Sequence, residues 1–152
     1  MRDHVRDQDG ATEVPERGGA YDYDGPVIVE YAPEDDGEAD PGEIVWAWVP
    51  YEEADGRGKD RPVMVLGFTA EQQPGALGRR DYAVLMVSSR DHHDDQEWLD
   101  IGSGAWDRDG RRSYVRLDRL LAVNEDAVRR EGAALTKAQF DAVVQAMGHV
   151  VS

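Results

Sequence analysis

Three short apolar runs constrain this chain more than any other feature: Ile44-Val45-Trp46-Ala47-Trp48-Val49, Arg61-Pro62-Val63-Met64-Val65-Leu66-Gly67 and Tyr82-Ala83-Val84-Leu85-Met86-Val87. Each is too short for an ordinary helix, and Pro50, Gly67 and Ser88-Ser89 close them. Near-continuous apolarity over so few residues describes a strand buried on both faces. Shorter candidates follow at 98–101, 113–117 and 120–123, separated by Gly-rich and Asp-rich turns. Strands of this length and spacing predict a mainly β protein, a small compact barrel, and argue against βαβ units.

One helix is signalled near the C-terminus. Thr136 followed by Gln139 is a capping box, and Leu135 can staple onto Phe140. Phe140, Val143, Val144 and Met147 then form one apolar face, which Gly148 ends. The helix is expected to pack on the barrel or cap one of its ends. No internal repeat is present.

The stretch before the first strong strand has another texture. Met1 to Gly25 carries no apolar periodicity, and such a segment gains too little burial to offset its ordering entropy, so disorder is expected over most of it. Val27 to Tyr31 is a short β-branched run stopped by Pro33, an edge strand or docked segment. Its acidic flanks and the rings of Tyr21, Tyr23 and Tyr31 also admit a second role, lying in a nucleic-acid groove in place of the ligand. The chain thus divides into an acidic extension, 1–40, and a barrel domain, 41–152.

Net charge is −15, which at face value opposes a nucleic-acid partner, because Lys and Arg carry phosphate binding. Residues 1–40, however, hold 3 Arg against 13 acidic residues, a net −10, leaving only −5 on 41–152. The total describes the extension more than the domain. The absence of cysteine excludes a disulfide framework, a thiolate metal site and a cysteine nucleophile. No run approaches the ~18 apolar residues of a spanning helix, and the first 26 residues are polar, so a cytoplasmic protein with no membrane partner and no signal peptide is expected.

Four places can carry chemistry. The 11-residue stretch Tyr51 to Arg61 is longer than a hairpin needs, and Arg57, Lys59 and Arg61 give it charge suited to phosphate; the ordinary alternative is a solvated loop. Ser88-Ser89 end a buried strand, where hydroxyls can orient a phosphate oxygen or simply terminate the strand. No Gly-x-Ser-x-Gly elbow surrounds them. Asp91-His92-His93-Asp94-Asp95 invites a metal reading, but consecutive ligands in one loop rarely converge on one ion. Finally, Arg108, Arg111, Arg112, Arg116 and Arg119 fall within twelve positions, with Asp118 among them. On a strand, Arg116 and Asp118 share a face, as an ion pair or as a catalytic pair.

Gly42-Glu43-Ile44-Val45-Trp46, Gly58-Lys59-Asp60-Arg61-Pro62-Val63-Met64-Val65, Val87-Ser88-Ser89 and Val115-Arg116-Leu117-Asp118, in this order, resemble the PemK/MazF family of toxins (MazF/Kid-like) from bacterial type II toxin–antitoxin systems. The Arg-Pro pair stands 19 residues after Gly42, the family's usual distance. The resemblance covers about residues 41–147. It implies an SH3-like barrel with a C-terminal helix, usually a homodimer, with a cognate antitoxin as partner. It also implies a sequence-selective endoribonuclease that cuts single-stranded RNA, such as mRNA, without metal or other cofactor. The 2′-hydroxyl attacks the adjacent phosphate and leaves a 2′,3′-cyclic phosphate. By the same resemblance Arg61 would hold the scissile phosphate, Ser88 and Ser89 would orient its oxygens, Asp118 would take the proton, and Arg116 would give one to the leaving group. Because a guanidinium parts with its proton only far above neutrality, electrostatic stabilisation of the developing charge is the other role open to Arg116. Asp55 and Lys59 would serve the substrate from the loop. Asp55-Gly56-Arg57 stands where many relatives carry an acidic or histidine-bearing triplet, which leaves a second reading open: a non-catalytic barrel that binds RNA or a protein.

Overall fold

In a computed structural model, residues 11–33, 39–52, 56–70, 81–129 and 133–148 are described. Among the described residues ten strands run β1 Thr12–Glu13, β2 Tyr21–Asp22, β3 Val27–Val29, β4 Ile44–Pro50, β5 Arg57–Thr69, β6 Tyr82–Ser88, β7 Trp98–Gly102, β8 Ser113–Arg116, β9 Leu121–Val123 and β10 Val128–Arg129. Among them, too, are one α-helix, α1, over Lys137–Met147, and a single 3₁₀ turn at Glu125–Ala127. The strand order is β10-β4-β5-β6-β8-β7, with β9 also on β6, and these strands pair antiparallel. The sheet curls into a half-barrel closed by one C-terminal helix, the mainly β architecture that the short apolar runs predict.

Those runs are buried on both faces because the curled sheet has two cores. Val45, Val49, Val63, Val65, Val84, Leu121 and Val123 fill one face. Ile44, Met64, Leu66, Leu85 and Val115 point the other way, onto Phe140, Val143 and Met147 of α1. The helix begins as expected: Thr136 accepts from the Gln139 amide and the Gln139 side chain accepts from the Thr136 amide. The side-chain nitrogen of Gln139 also donates to the Ile101 carbonyl at 2.8 Å, which ties α1 to β7.

The long strand β5 organises the rest. Along one edge it pairs first with β4 and then with β3; along the other it pairs with β1 and, from Val63 onward, with β6. A bulge between Val65 and Gly67 bends it. At Gly67 the two backbones touch, since a Cβ there would lie 1.9 Å from the Ile28 carbonyl oxygen. Only glycine admits that approach. The strand starts at Arg57, so the expected loop 51–61 is shorter than its sequence indicates. Pairing of Pro50, Val49 and Trp48 with Gly58, Lys59 and Asp60 draws these polar residues into the ladder.

The expectation of disorder before Gly25 departs from the structure over residues 11–25; residues 1–10 lie outside the described residues. Three short strands from 11–33 attach to existing sheet edges, and Ala20 and Val27 are buried. The Ala20 amide donates to the Trp48 carbonyl at 2.7 Å, the Tyr23 amide to the Leu120 carbonyl at 3.0 Å, and the Trp48 indole to Thr12 Oγ1 at 3.1 Å. Backbone groups on a finished sheet satisfy this segment, so it needs no apolar periodicity of its own. The tyrosines are also spoken for. Tyr21 donates to Asp81, Tyr23 to the Pro26 carbonyl, and Tyr31 to the Leu135 carbonyl while its ring packs on Phe140. None of the three lines the basic concavity described next.

Candidate functional site

The site grows out of strand alternation. On β5, Val65 and Val63 face one core, so Arg61 and Lys59 continue that face past the point where the core ends. On β6, Met86 faces the same core and Ser88 is the next residue on its side. Ser88 pairs with Tyr114, which puts Arg116 on that face too, and Arg116 pairs with Trp98. Arg61, Ser88, Trp98 and Arg116 therefore meet at one open end of the curl, in a concavity of about 270 Å³ shared with Tyr51, Glu52, Arg90, His92 and Arg119. The buried Tyr51 hydroxyl has no hydrogen-bond partner there.

Its cations differ sharply in how they are held. Arg116 lies between two carboxylates: its Nη1 and Nη2 donate to Glu52 at 2.9 and 3.0 Å, and its Nε donates to Asp118 at 2.6 Å. Their bonds to the guanidinium hold Glu52 and Asp118 below the usual carboxylate range and push Arg116 up. Arg119 is buried, donating to Asp22 at 2.8 Å and to the Pro50 carbonyl at 2.9 Å. Arg61 is different. Its guanidinium is partly buried yet makes no ion pair or hydrogen bond with the described residues. Burial, with Arg119 and Arg90 nearby, lowers its pKa against the opposing influence of Tyr51. A partly desolvated cation without a counter-ion is a site for an anion brought from outside.

The expected residues distribute as follows. Arg61, Ser88 and Arg116 line one concavity. Lys59 and Ser89 line an adjoining depression of about 290 Å³ that shares Arg61, Ser88 and Arg90 with the first and adds Trp46 and Trp106. Asp118 does not line the concavity; it reaches it through Arg116. Asp55 lies outside the described residues. The arginine cluster is not a bare basic patch: Arg111 pairs with Asp107, Arg112 with Asp100, and Arg116 and Arg119 as above. A larger groove of about 990 Å³, bounded by Tyr23, Pro26, Leu117, Leu120 and Met147, touches only Asp118 of these residues.

Sequence reasoning missed two members. Glu52 lies within the 51–61 stretch, but only the fold carries it to Arg116. By the sequence around it, His92 suggests a metal ligand. Its ring instead stacks on Trp98, with centroids 3.9 Å apart and 7° between planes, while His93 turns to Asp91 and Asp94. Among the described residues no group of His, Asp and Glu is arranged to hold a metal.

Across residues 40–151 the chain matches the family model described as a PemK-like, MazF-like toxin of a type II toxin–antitoxin system. No curated protein matches it. No described helix is long and apolar enough to cross a membrane.

Proposed function

Because the chain belongs to the family of PemK-like, MazF-like toxins of type II toxin–antitoxin systems, we propose that it is an endoribonuclease that cuts single-stranded RNA without a metal. The observation that carries this reading is Arg61, a cation that no described residue pairs, beside Ser88 and Arg116 in one concavity. The 2′-oxygen attacks the neighbouring phosphorus, the P–O5′ bond breaks, and negative charge builds on the non-bridging oxygens. Arg61 and Arg116 are suited to stabilise that charge, since neither must be brought out of water to do so. Ser88 and Ser89 supply hydroxyl donors, and Lys59 extends positive charge along the adjoining depression. Asp118, which Arg116 holds ionised just outside the concavity, is the residue we assign to take the 2′-hydroxyl proton. A net −5 on residues 41–152 does not oppose RNA binding when Arg61, Arg90, Arg116 and Arg119 line one concavity.

The cognate antitoxin and a second copy of the chain are the protein partners this reading brings with it. The test is digestion of RNA in EDTA with mapped product ends. We expect 2′,3′-cyclic phosphate and 5′-hydroxyl termini, with activity lowered about 100-fold or more in Arg61→Ala and Arg116→Ala. Cleavage only when a divalent metal is supplied would overturn the mechanism. One observation favours a second reading, a binding barrel without catalysis: two carboxylates already neutralise Arg116. Intact RNA after long incubation, with salt-sensitive binding, selects it.

A further inference from the structure

The proposed reaction needs a proton for the departing 5′-oxygen, and Arg116, the donor that the resemblance implies, lies between two carboxylates that hold its proton more firmly still. Glu52 and Asp118 are held as carboxylates by Arg116 and accept protons. The arginines donate hydrogen bonds but do not release protons near neutrality. Among the described residues lining the concavity there is one imidazole, that of His92, the side-chain type most often used for general acid–base work.

Its placement is over-determined. The ring lies flat on Trp98 and meets Tyr114 edge-on, with a centroid separation of 5.8 Å. Nδ1 stands 2.9 Å from a carboxylate oxygen of Asp95, which fixes the ring's rotation and leaves Nε2 as the exchanging nitrogen. Nε2 points to Ser88 Oγ at 3.3 Å, on the face that carries Arg61 and Arg116. The Ser88 oxygen accepts from the Arg90 amide at 3.1 Å, so the hydroxyl and the imidazole are both presented to the same space. A carboxylate that orients an imidazole toward a concavity lined with cations is an arrangement for proton transfer, and a merely structural histidine does not require it.

We propose that His92 is the general acid of the cleavage, an inference that rests on the nuclease reading above. As the 2′-oxygen bonds to phosphorus, its proton passes to the base. The electron pair of the breaking P–O5′ bond goes to the 5′-oxygen, which takes the Nε2 proton of His92. The base then releases its proton to water as water returns one to the ring, which restores both groups. Asp95 positions the ring and does not touch the substrate.

The test uses the full chain and two RNA oligonucleotides containing the bond that the unmodified protein is found to cut. One carries the natural linkage; the other carries sulfur in place of the 5′-bridging oxygen, a leaving group that needs no proton. His92→Gln should cut the natural linkage about 100-fold or more slowly than the unmodified protein. On the sulfur linkage the two proteins should agree within a few-fold. Equal loss on both substrates, or no loss on either, overturns the acid role while leaving the nuclease reading in place. An unmodified protein that cuts neither substrate overturns both.

Discussion

Arg116 and Glu52, 64 residues apart in the chain, face each other as a two-bonded guanidinium–carboxylate pair at the mouth of the concavity. The pair occupies the guanidinium edge that a phosphate would take. Glu52 is mostly exposed, so solvent screens the contact and a competing anion displaces it at small cost.

Glu52→Gln should therefore raise affinity for single-stranded RNA, by about 3- to 10-fold at low salt if the pair is worth roughly 1 kcal/mol. Fluorescence anisotropy across a salt series reads this. Weaker binding would show that Glu52 contacts the ligand.

Arg61→Ala should lower cleavage by about 100- to 1,000-fold, the usual cost of one preorganised donor to a developing oxyanion. Its unfolding temperature should not fall, because the cation it removes has no partner to orphan. Arg61→Lys should recover part of the rate, since an ammonium keeps the charge but not the planar fork. Single-turnover kinetics and thermal melts separate the two effects.

Gly67→Ala should detach β3. The new methyl meets a backbone carbonyl that cannot swing aside, and overpacking of this kind costs about 1–3 kcal/mol. Val27→Ala removes buried volume at the same junction, and the double variant should lose less than the two single losses together. Urea unfolding measures both. Stability unchanged by either substitution would mean that the β3–β5 junction contributes nothing to the folded domain.

Acid should weaken the molecule through Asp22, Glu52 and Asp118, whose carboxyls Arg119 and Arg116 hold below their ordinary values. The folded state then binds fewer protons than the unfolded chain, so this stability is fully present above about pH 4 and is lost as pH falls through the lowered values. Melting temperature should decline below about pH 4, and Asp22→Asn should flatten part of that decline. A pH-independent melt down to pH 2 would contradict the pairing.

What was legible in the sequence was local. The runs at Ile44, Val63 and Tyr82 specify buried strands by themselves, and the Thr136–Gln139 box specifies the start of α1 within four residues. What was hidden depends on partners far away. β1 and β2 are two-residue strands whose reason for existing is an edge supplied by β5 or β9. Glu52 looks like any loop acid until the curl brings Arg116 to it. His92 reads as a ligand because its neighbours in sequence are acids, whereas its neighbours in space are an indole and a serine hydroxyl. Arg61 was identifiable through the Arg-Pro opening its apolar run, but its lack of a counter-ion is a property of the fold.

One edge of β5 leads β1 as far as Gly58 and picks up β6 only at Val63. Between them, at Lys59 to Pro62, no described strand pairs with that edge, and the two basic depressions meet across Arg61 at this break. The opening is thus a gap in the weave, set by where two neighbours stop. Lengthening either neighbour by a couple of residues would shutter the window without altering a single side chain inside it.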